Sequence, residues 1–212
     1  MNIALIGASG YVGSAPRNQA PARGPKVTAL VSQPVKLKAQ DNLSVVKADV
    51  LDEAALAGLL RGHGAVLSAF SGQAQADVLG YYLRGFRSII AAVKNSGVPR
   101  LLRVGGAGSL EAAPGVLVID TPQFPEAWKA TAEGARQALE LLRQERTLDW
   151  TMLSPSAMLE PDKRTGQFRL GDDRLLVDAN GESRISLEDY AVAMIDELEK
   201  PAHSRRRFTV GY

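Results

Sequence analysis

Three glycines near the start of the chain have the spacing of a turn that can hold a phosphate. Gly7, Gly10 and Gly13 directly follow the apolar run of residues 3–6. In such a turn the first glycine allows a tight bend, the second leaves space for phosphate, and the third lets the next helix approach the strand. Backbone N–H groups at the start of that helix then face the bound anion. The spacing therefore predicts a pyrophosphate-binding turn. The turn consists of Gly7, Ala8, Ser9, Gly10, Tyr11, Val12 and Gly13.

Further polar residues follow other short apolar runs of the chain. Asp49 follows residues 44–48, and Ser68 lies within the run 65–69. Ser109 comes after the run 100–104 and a glycine-rich stretch, and Ser154 follows residues 150–153. Because the carboxyl ends of parallel strands meet at one edge of a sheet, we expect these residues to share that edge with the glycine turn.

The elements that must position these residues alternate along the chain. The predicted strands are residues 3–6, 27–31, 44–48, 65–69, 100–104, 150–153 and 207–210. The predicted helices begin after Asp52 and also cover residues 78–94, 126–143 and 185–198. This alternation indicates an α/β fold, a Rossmann-type doubly wound parallel sheet. We expect one dinucleotide-binding domain over residues 1–212, in which residues 154–185 form a small C-terminal substrate lobe over the site.

Two prolines conflict with the helix that should follow the glycine turn. If that helix begins at Tyr11, Pro16 removes the hydrogen bond to Val12, and an interior proline costs about 3 kcal/mol. Pro21 adds a second interruption. The sequence therefore predicts either a short, kinked helix or a loosely packed one.

Composition and charge exclude several classes of partner. The chain has no cysteine and a formal net charge of +2, so neither a disulfide framework nor a nucleic-acid surface is expected. The basic run at residues 205–207 is interpreted as the solvated start of a strand. No apolar run approaches the ~20 residues of a membrane span, and the first residues do not resemble a signal peptide. We expect a cytoplasmic protein that binds a small-molecule substrate, without a membrane or nucleic-acid partner.

The two histidines do not indicate a metal site. His63 lies in a glycine-flanked segment, and His203 follows Pro201 and Ala202. Neither has a second histidine or a carboxylate at the spacing of metal ligands. Glu188 and Asp189 are interpreted as residues that start a helix rather than as an acid–base pair.

A set of short motifs, in order along the chain, resembles a known group. The motifs are Gly7-x-x-Gly10-x-x-Gly13, residues 48–52, residues 68–70, residues 97–100, residues 104–109, residues 153–155 and Ile185-Ser186-x-x-Asp189-Tyr190-Ala191. Together they resemble the atypical short-chain dehydrogenase/reductases. Within these, the chain is most similar to the NmrA-like and NADH-flavin reductase group, and also to biliverdin-IXβ/flavin reductase.

The resemblance implies roles for several residues around a nicotinamide dinucleotide. Asp49 would accept a hydrogen bond from the adenine amino group, with Val50 beside the ring. Residues 68–70, which are Ser68, Ala69 and Phe70, would line the ribose and nicotinamide side. Ser154 and Pro155 would border the nicotinamide. Two alternatives stay open: Asp49 is also consistent with a loop or cap residue, and Phe70 with a core residue.

The segment after the second strand decides which dinucleotide is expected. Relatives often have an arginine there for the 2′-phosphate of NADP, whereas this chain has Ser32 and Gln33. It also lacks the acidic residue that typically holds the free 2′-hydroxyl of NAD. Lys36 and Lys38 are either a source of positive charge or part of a solvated loop. The expectation favours NADP(H) over NAD(H).

The chain lacks the Tyr-x-x-x-Lys pair of the usual dehydrogenases of this superfamily. Ser109 and Lys129 are the remaining candidate catalytic residues, while Phe124 and Trp128 could form an apolar wall for a substrate ring or pack in the core. A flavin or quinone needs a protein acid less than a ketone does, because it delocalises the incoming electrons. The favoured function is therefore an NAD(P)H-dependent reductase of a flavin, quinone or similar conjugated acceptor.

Two other functions remain open from the sequence. The chain could be a non-catalytic NAD(P)-sensing regulator, which needs no acid, or a nucleotide-sugar epimerase or dehydratase, for which the lobe is small. Either a monomer or a homodimer is compatible with the sequence.

Overall fold

The computed structural model describes residues 1–73 and 75–212. It consists of short β-strands and of helices that connect them. Within these residues the strands are β1 (Asn2–Ile6), β2 (Lys26–Val31), β3 (Leu43–Lys47), β4 (Ala65–Ser68), β5 (Arg100–Val104), β6 (Glu111–Ala113), β7 (Val116–Leu117), β8 (Asp149–Ser154), β9 (Met158–Glu160), β10 (Arg169–Gly171), β11 (Arg184–Ser186) and β12 (Arg206–Gly211). The α-helices are α1 (Ser14–Ala22), α2 (Glu53–Leu60), α3 (Val78–Ser96), α4 (Lys129–Gln144) and α5 (Leu187–Glu199).

The main sheet has eight strands in the order β10-β12-β8-β5-β4-β1-β2-β3. Its neighbours pair in parallel, except that β10 runs antiparallel to β12. The chain builds outward from β1 to β3 on one side, then returns to β4 and builds outward on the other. This reversal between β1 and β4 is the point at which ligands bind in doubly wound sheets. The predicted Rossmann-type α/β fold is confirmed.

Helices cover both faces of the sheet with apolar side chains. On one face, α2, α3 and α4 contribute Leu56, Phe86 and Leu139 to a core that includes Val66 and Leu101. On the other face, α1 and α5 pack their apolar side chains over the second core. Because both faces are covered, the central strands consist mostly of apolar residues, as is usual in parallel sheets.

The helix after the glycine turn is short, and the position of its first residue explains why one of the two prolines does not disrupt it. α1 begins at Ser14, not at Tyr11, so Pro16 lies in the first turn, where a backbone N–H has no helical acceptor. The carbonyl of Val12 accepts instead from the N–H of Ala15, at 3.3 Å. Pro21 lies in the last turn, and the helix ends one residue later. Of the two predicted possibilities, the short helix is the one observed.

Two other sequence expectations need correction. The predicted helix over residues 126–143 begins as a 3₁₀ turn at Glu126–Trp128 and becomes α-helical only from Lys129. Residues 205–207 are not uniformly solvated, because the side chain of Arg207 is 3% exposed and pairs with Asp173. The chain brings that partner from 34 residues away, which local sequence does not reveal.

The carboxylate of Asp189 ties the C-terminal region together. It accepts hydrogen bonds from the N–H of Thr165 at 3.0 Å, the N–H of Gly166 at 2.8 Å and the hydroxyl of Tyr212 at 2.7 Å. Burial opposes its charge, but these donors outweigh that effect and hold the pKa of Asp189 below its usual range. Glu188 and Asp189 both lie in the first turn of α5, which confirms that they start a helix. No helix in the described ranges combines the length and apolar character of a membrane span.

Candidate active site

The glycine turn follows β1 directly and bends sharply at its first residue. Gly7 has a φ of 80°, a left-handed conformation that L side chains rarely adopt. A Cβ at this position would lie 2.8 Å from the backbone carbonyl of Ala69. Both the torsion angle and the close approach of β4 therefore require glycine here.

Gly13 and Gly10 have different surroundings within the turn. A Cβ on Gly13 would lie 2.2 Å from the carbonyl oxygen of Gly7, so the backbone there admits only glycine. A Cβ on Gly10 would meet that oxygen at 3.2 Å and, within the described chain, no other atom inside 4 Å. The space beside Gly10 is therefore open. This cradle fits a pyrophosphate group, which must approach the backbone closely.

The other predicted residues follow neighbouring strands at the same edge of the sheet. Main-chain hydrogen bonds continue the ladders past the strand ends, from Gly7 N to the Leu30 carbonyl at 3.2 Å and from Ala69 N to the Ile6 carbonyl at 2.9 Å. Gly105 N likewise donates to the Leu153 carbonyl at 2.7 Å. The ends of β1, β2, β4, β5 and β8 thus meet along one edge. The structure brings the glycine turn, Ser32, Ser68 and Ser154 to it.

Two serine hydroxyls at this edge are buried without a hydrogen-bond partner in the described chain. Ser68 ends β4 and Ser154 ends β8, and both side chains are fully buried. A Cβ on Gly105, which directly follows β5, would lie 2.8 Å from the Ser154 Oγ. Buried hydroxyls normally find a partner, so these two groups fit a site that receives a polar ligand. Pro155 is also buried, next to Ser154.

Some of the residues predicted to bind the cofactor have side chains that pack in the hydrophobic cores, so only their backbone faces the site. The ring of Phe70 packs in the core against Tyr81 and Tyr82, with ring centroids 5.5 and 6.0 Å apart. Val50 belongs to the same core, and Ala8 is buried in the other one. The core alternative for Phe70 is the one observed. Ala69, by contrast, is half-buried beside the glycine turn.

Asp49 and Ser32 are exposed at the end of the sheet where the adenine was expected. The Asp49 Oδ1 accepts from the N–H of Leu51 at 2.9 Å, which is the loop role considered above. Tyr81 lies nearby, and burial together with the Asp49 carboxylate raises its pKa. Sequence reasoning missed Tyr81, which helical periodicity does not distinguish from an ordinary α3 residue.

Ser109 lies in a buried network with an arginine from the last strand. The Arg207 Nη1 donates to both the hydroxyl and the carbonyl of Ser109, each at 3.3 Å, and the Arg207 Nε donates to Asp173 at 2.7 Å. The Ser109 hydroxyl also donates to the Gly106 carbonyl at 3.4 Å. These contacts fix the loop after β5, and a catalytic role for Ser109 stays a prediction.

The remaining candidates surround the start of α4. Lys129 is exposed and pairs with Glu126 at 2.6 Å. Trp128 is 53% exposed. Phe124 is half-buried, and a Cβ added to Gly108 would lie 3.6 Å from the Phe124 ring. An exposed indole beside a half-buried ring is compatible with an apolar wall, and this role stays a prediction.

Sequence reasoning also missed Arg103, a buried arginine on β5. Its Nη1 donates to the Ser68 carbonyl at 2.9 Å, and its Nη2 donates to the Phe70 carbonyl at 2.7 Å and to the Tyr82 hydroxyl. Its guanidinium also lies 5.1 Å from the Phe86 ring centroid. The arginine stands within an apolar strand, but its partners are main-chain groups that no sequence pattern marks.

Two fully buried tyrosines lie near this edge of the sheet. Tyr82 contacts Arg103, and the Tyr190 hydroxyl donates to the Leu153 carbonyl at 2.6 Å. Burial raises the pKa of the Tyr82 phenol despite the neighbouring guanidinium, and burial also raises the pKa of Tyr190. Both phenols are therefore poor proton donors to a ligand.

The C-terminal lobe of residues 154–185 touches the glycine turn directly. The hydroxyl of Tyr11, in the turn, donates to the Leu159 carbonyl of β9 at 3.1 Å. This contact joins residues 148 positions apart. That the lobe forms part of a substrate site stays a prediction.

Two clefts occur elsewhere on the protein, and neither is lined by the glycine turn. One lies at the amino ends of β1, β2 and β3, where His63 Nε2 is 3.0 Å from the Thr28 Oγ1. The other lies beside Phe168, His203 and Phe208. No group of three or more His, Cys, Asp or Glu side chains is arranged to hold a metal ion in residues 1–73 and 75–212.

Known proteins are similar to this chain in both sequence and fold. YwnB of Bacillus subtilis (strain 168), itself uncharacterized, is 39% identical over 213 residues, which cover 99% of this chain and 98% of that protein. A structure from Bacteroides thetaiotaomicron, provisionally named an epimerase, is 45% identical with a TM-score of 0.93, and covers 100% of this chain and 96% of its own. A structure from Streptococcus pneumoniae TIGR4, provisionally named an NADH-flavin reductase, is 34% identical with a TM-score of 0.88. The match covers 100% of this chain and 99% of that chain. A sequence model described as NAD(P)H-binding matches residues 7–201. The chain therefore belongs to the NAD(P)H-binding family of Rossmann-fold proteins.

Proposed function

We propose that this protein is an NAD(P)H-dependent reductase whose acceptor is a flavin, a quinone or a similar conjugated ring. The observation that carries this proposal is the state of the phenols near the carboxyl edge. Tyr82 and Tyr190 are buried and hydrogen-bonded, with raised pKa values. Since a positioned acid contributes about 10²–10⁴-fold to carbonyl reduction, a site whose two buried phenols are already bonded to protein groups suits an acceptor that takes its proton from water.

The proposed cofactor site uses the glycine turn and the strand ends on either side of it. The backbone around Gly10 would bind the pyrophosphate, and Asp49 would face the adenine. Ser68, Ala69, Ser154 and Pro155 would line the nicotinamide side, where the two unpartnered hydroxyls offer hydrogen bonds to the ring's amide or ribose. When bound, a reduced nicotinamide supplies a hydride to the acceptor. These residues would hold the two rings together in a geometry that favours transfer.

NADP(H) is the proposed nucleotide in preference to NAD(H). Ser32 and Gln33 carry no negative charge that would repel a 2′-phosphate. They lead into the 3₁₀ turn Pro34–Lys36, which places the exposed Lys36 just after β2. A lysine in this position provides a point charge for a phosphate.

Two other functions, an epimerase and a nucleotide sensor, are compared with the proposed reductase. The name NADH-flavin reductase of the Streptococcus pneumoniae relative agrees with the proposal. The name epimerase of the Bacteroides thetaiotaomicron relative does not, because an epimerase needs an acid–base group at the edge where this chain has serines and proline. A sensor that binds the nucleotide without turnover is favoured by the same lack of an acid, and the assay below separates it from a reductase.

The test of the proposal measures oxidation of NADPH and NADH by the purified protein. We expect turnover with FMN, FAD or a quinone and none with simple ketones or aldehydes. Gly10→Val serves as the control, since it fills the open space in the turn and should abolish both binding and turnover in a folded protein. Tight nucleotide binding without turnover of any acceptor would identify a sensor. Efficient reduction of a ketone would contradict the proposed acceptor class.

A further inference from the structure

Arg103 carries a buried positive charge that no carboxylate balances in the described chain. Its side chain is 1% exposed, and its partners are two carbonyl oxygens, the Tyr82 hydroxyl and the faces of two aromatic rings. None of the ion pairs among residues 1–73 and 75–212 includes it. Carbonyl dipoles solvate a guanidinium, but they do not cancel its net charge.

This charge lies at the edge of the sheet that holds the candidate site. Arg103 pairs with Ser68 in the register of β4 and β5. Its two carbonyl acceptors belong to residues 68–70, the segment proposed above to line the nicotinamide side. The Nε of Arg103 is buried without a partner in the described chain, as is the Oγ of Ser68 beside it. The guanidinium of Arg103 therefore lies directly against the backbone of the segment proposed to line the nicotinamide side.

A fixed charge in such a place distinguishes the two redox forms of a nicotinamide. The oxidised ring carries a positive charge, whereas the reduced ring is neutral. Like charges in a protein interior repel each other with little screening by solvent. As a general guide, two unit charges about 12 Å apart at an effective dielectric constant near 20 repel each other by about 1.4 kcal/mol, which corresponds to about tenfold in a binding constant.

We infer that Arg103 makes this site bind the reduced nicotinamide nucleotide more tightly than the oxidised one. The inference rests on the proposed function, because it assumes that the nicotinamide lies at residues 68–70. Arg103 is a positioning residue in this scheme: it also holds the Ser68 and Phe70 carbonyls and touches no ligand itself. Its charge helps the hydride donor to bind and the oxidised product to leave.

The test compares dissociation constants and requires no turnover. Titrations with NADPH and NADP⁺ (or with NADH and NAD⁺, if these bind more tightly) give two dissociation constants. The quantity compared is the dissociation constant of the oxidised nucleotide divided by that of the reduced nucleotide. For the unaltered protein we expect a ratio of about 10 or more. Arg103→Gln keeps N–H donors for the carbonyl oxygens but removes the charge, so its ratio should fall towards 1. Arg103→Lys keeps the charge and should keep most of the preference.

Two controls separate this effect from structural damage. Arg87→Gln removes one positive charge from the exposed face of α3, so it tests net charge and should leave the ratio unchanged. ADP-ribose 2′-phosphate lacks the nicotinamide ring, and its affinity should be the same in the unaltered protein and in Arg103→Gln. A merely structural role for Arg103 would weaken all three ligands by one common factor and leave the ratio intact.

Each outcome bears on one claim. A ratio near 1 in the unaltered protein overturns the inference, and so does a ratio that survives in Arg103→Gln. If Arg103→Gln does not fold, the ratio in the unaltered protein and in Arg103→Lys decides. Failure of the unaltered protein to bind any of these nucleotides would instead contradict the proposed function.

Discussion

Two buried arginines on one strand show how the partners of a side chain determine what it does. Arg100, at the start of β5, pairs with Asp149 and Glu197, each at 2.7 Å, and so its charge is balanced. Arg103, near the end of the same strand, is held by carbonyl oxygens and keeps its charge. The first joins the amino ends of β5 and β8 to α5, whereas the second holds the carbonyl oxygens of Ser68 and Phe70 at the carboxyl end of β4.

One added methyl group should affect stability differently at two glycines of the turn. Gly13→Ala places a Cβ 2.2 Å from a backbone carbonyl oxygen, so the turn must distort. We expect a loss of about 2 kcal/mol or more in the free energy of unfolding, together with a loss of nucleotide binding. Urea denaturation and a nucleotide titration measure the two effects.

Gly10→Ala is the matched control within the same turn. Its Cβ would meet the Gly7 oxygen at 3.2 Å, a tight contact that a shift of a few tenths of an ångström relieves, so stability should change by less than about 1 kcal/mol. Nucleotide affinity should nevertheless fall, because the methyl group enters the open space. Equal destabilisation by both substitutions would contradict the steric interpretation of the turn.

At the scale of elements, the loop after α4 contains a carboxylate that ties a helix end to the next strand. Glu145 accepts from the N–H of Thr147 at 2.6 Å and from its Oγ1 at 2.7 Å, and it pairs with Lys94 of α3 at 3.0 Å. Burial alone would raise the pKa of Glu145, but these donors outweigh it and lower the pKa to about 2.

This arrangement predicts a specific loss of stability in acid. The folded pKa lies below the ordinary value near 4.5, so the Glu145 contribution is complete above that pH and disappears as the pH falls towards 2. We expect a contribution of about 1–3 kcal/mol. Glu145→Gln should lose it at neutral pH and show a smaller further loss between pH 4.5 and 2. Denaturation at several pH values tests this, and unchanged acid sensitivity in the variant would refute it.

The elements also show what could be predicted from sequence. The predicted parallel strands match those observed to within about two residues, because short apolar runs between turn residues identify buried strands. The start of α1 was predicted less well, since helix starts carry weak signals when no side chain caps them. Arg207 and Arg103 were missed for another reason: their partners are distant in sequence or belong to the main chain.

At the scale of the whole molecule, the sheet has a protected centre and two different edges. β1 lies between β2 and β4 near the middle, while β3 and the antiparallel β10 form the edges. We expect amide hydrogens of β1, β4 and β5 to exchange about 10³-fold more slowly than those of β3 and β10. Hydrogen exchange followed by mass spectrometry measures this. Comparable protection of β10 and β1 would contradict a single cooperative core.

The position of β12 between β8 and β10 has a consequence for a chain that grows from its amino end. The strands β1 to β4 can pair with one another once residue 68 has left the ribosome, because the pairs β1–β2, β2–β3 and β1–β4 all lie within the first 68 residues. β10, in contrast, has its partner only when Arg206–Gly211 has been synthesised, and Asp189 accepts from the Tyr212 hydroxyl only once that residue has been added. The C-terminal lobe therefore completes its contacts only after residues 206–212 have been synthesised, so a ribosome-stalled chain that stops before Arg206 would expose the flank of β8.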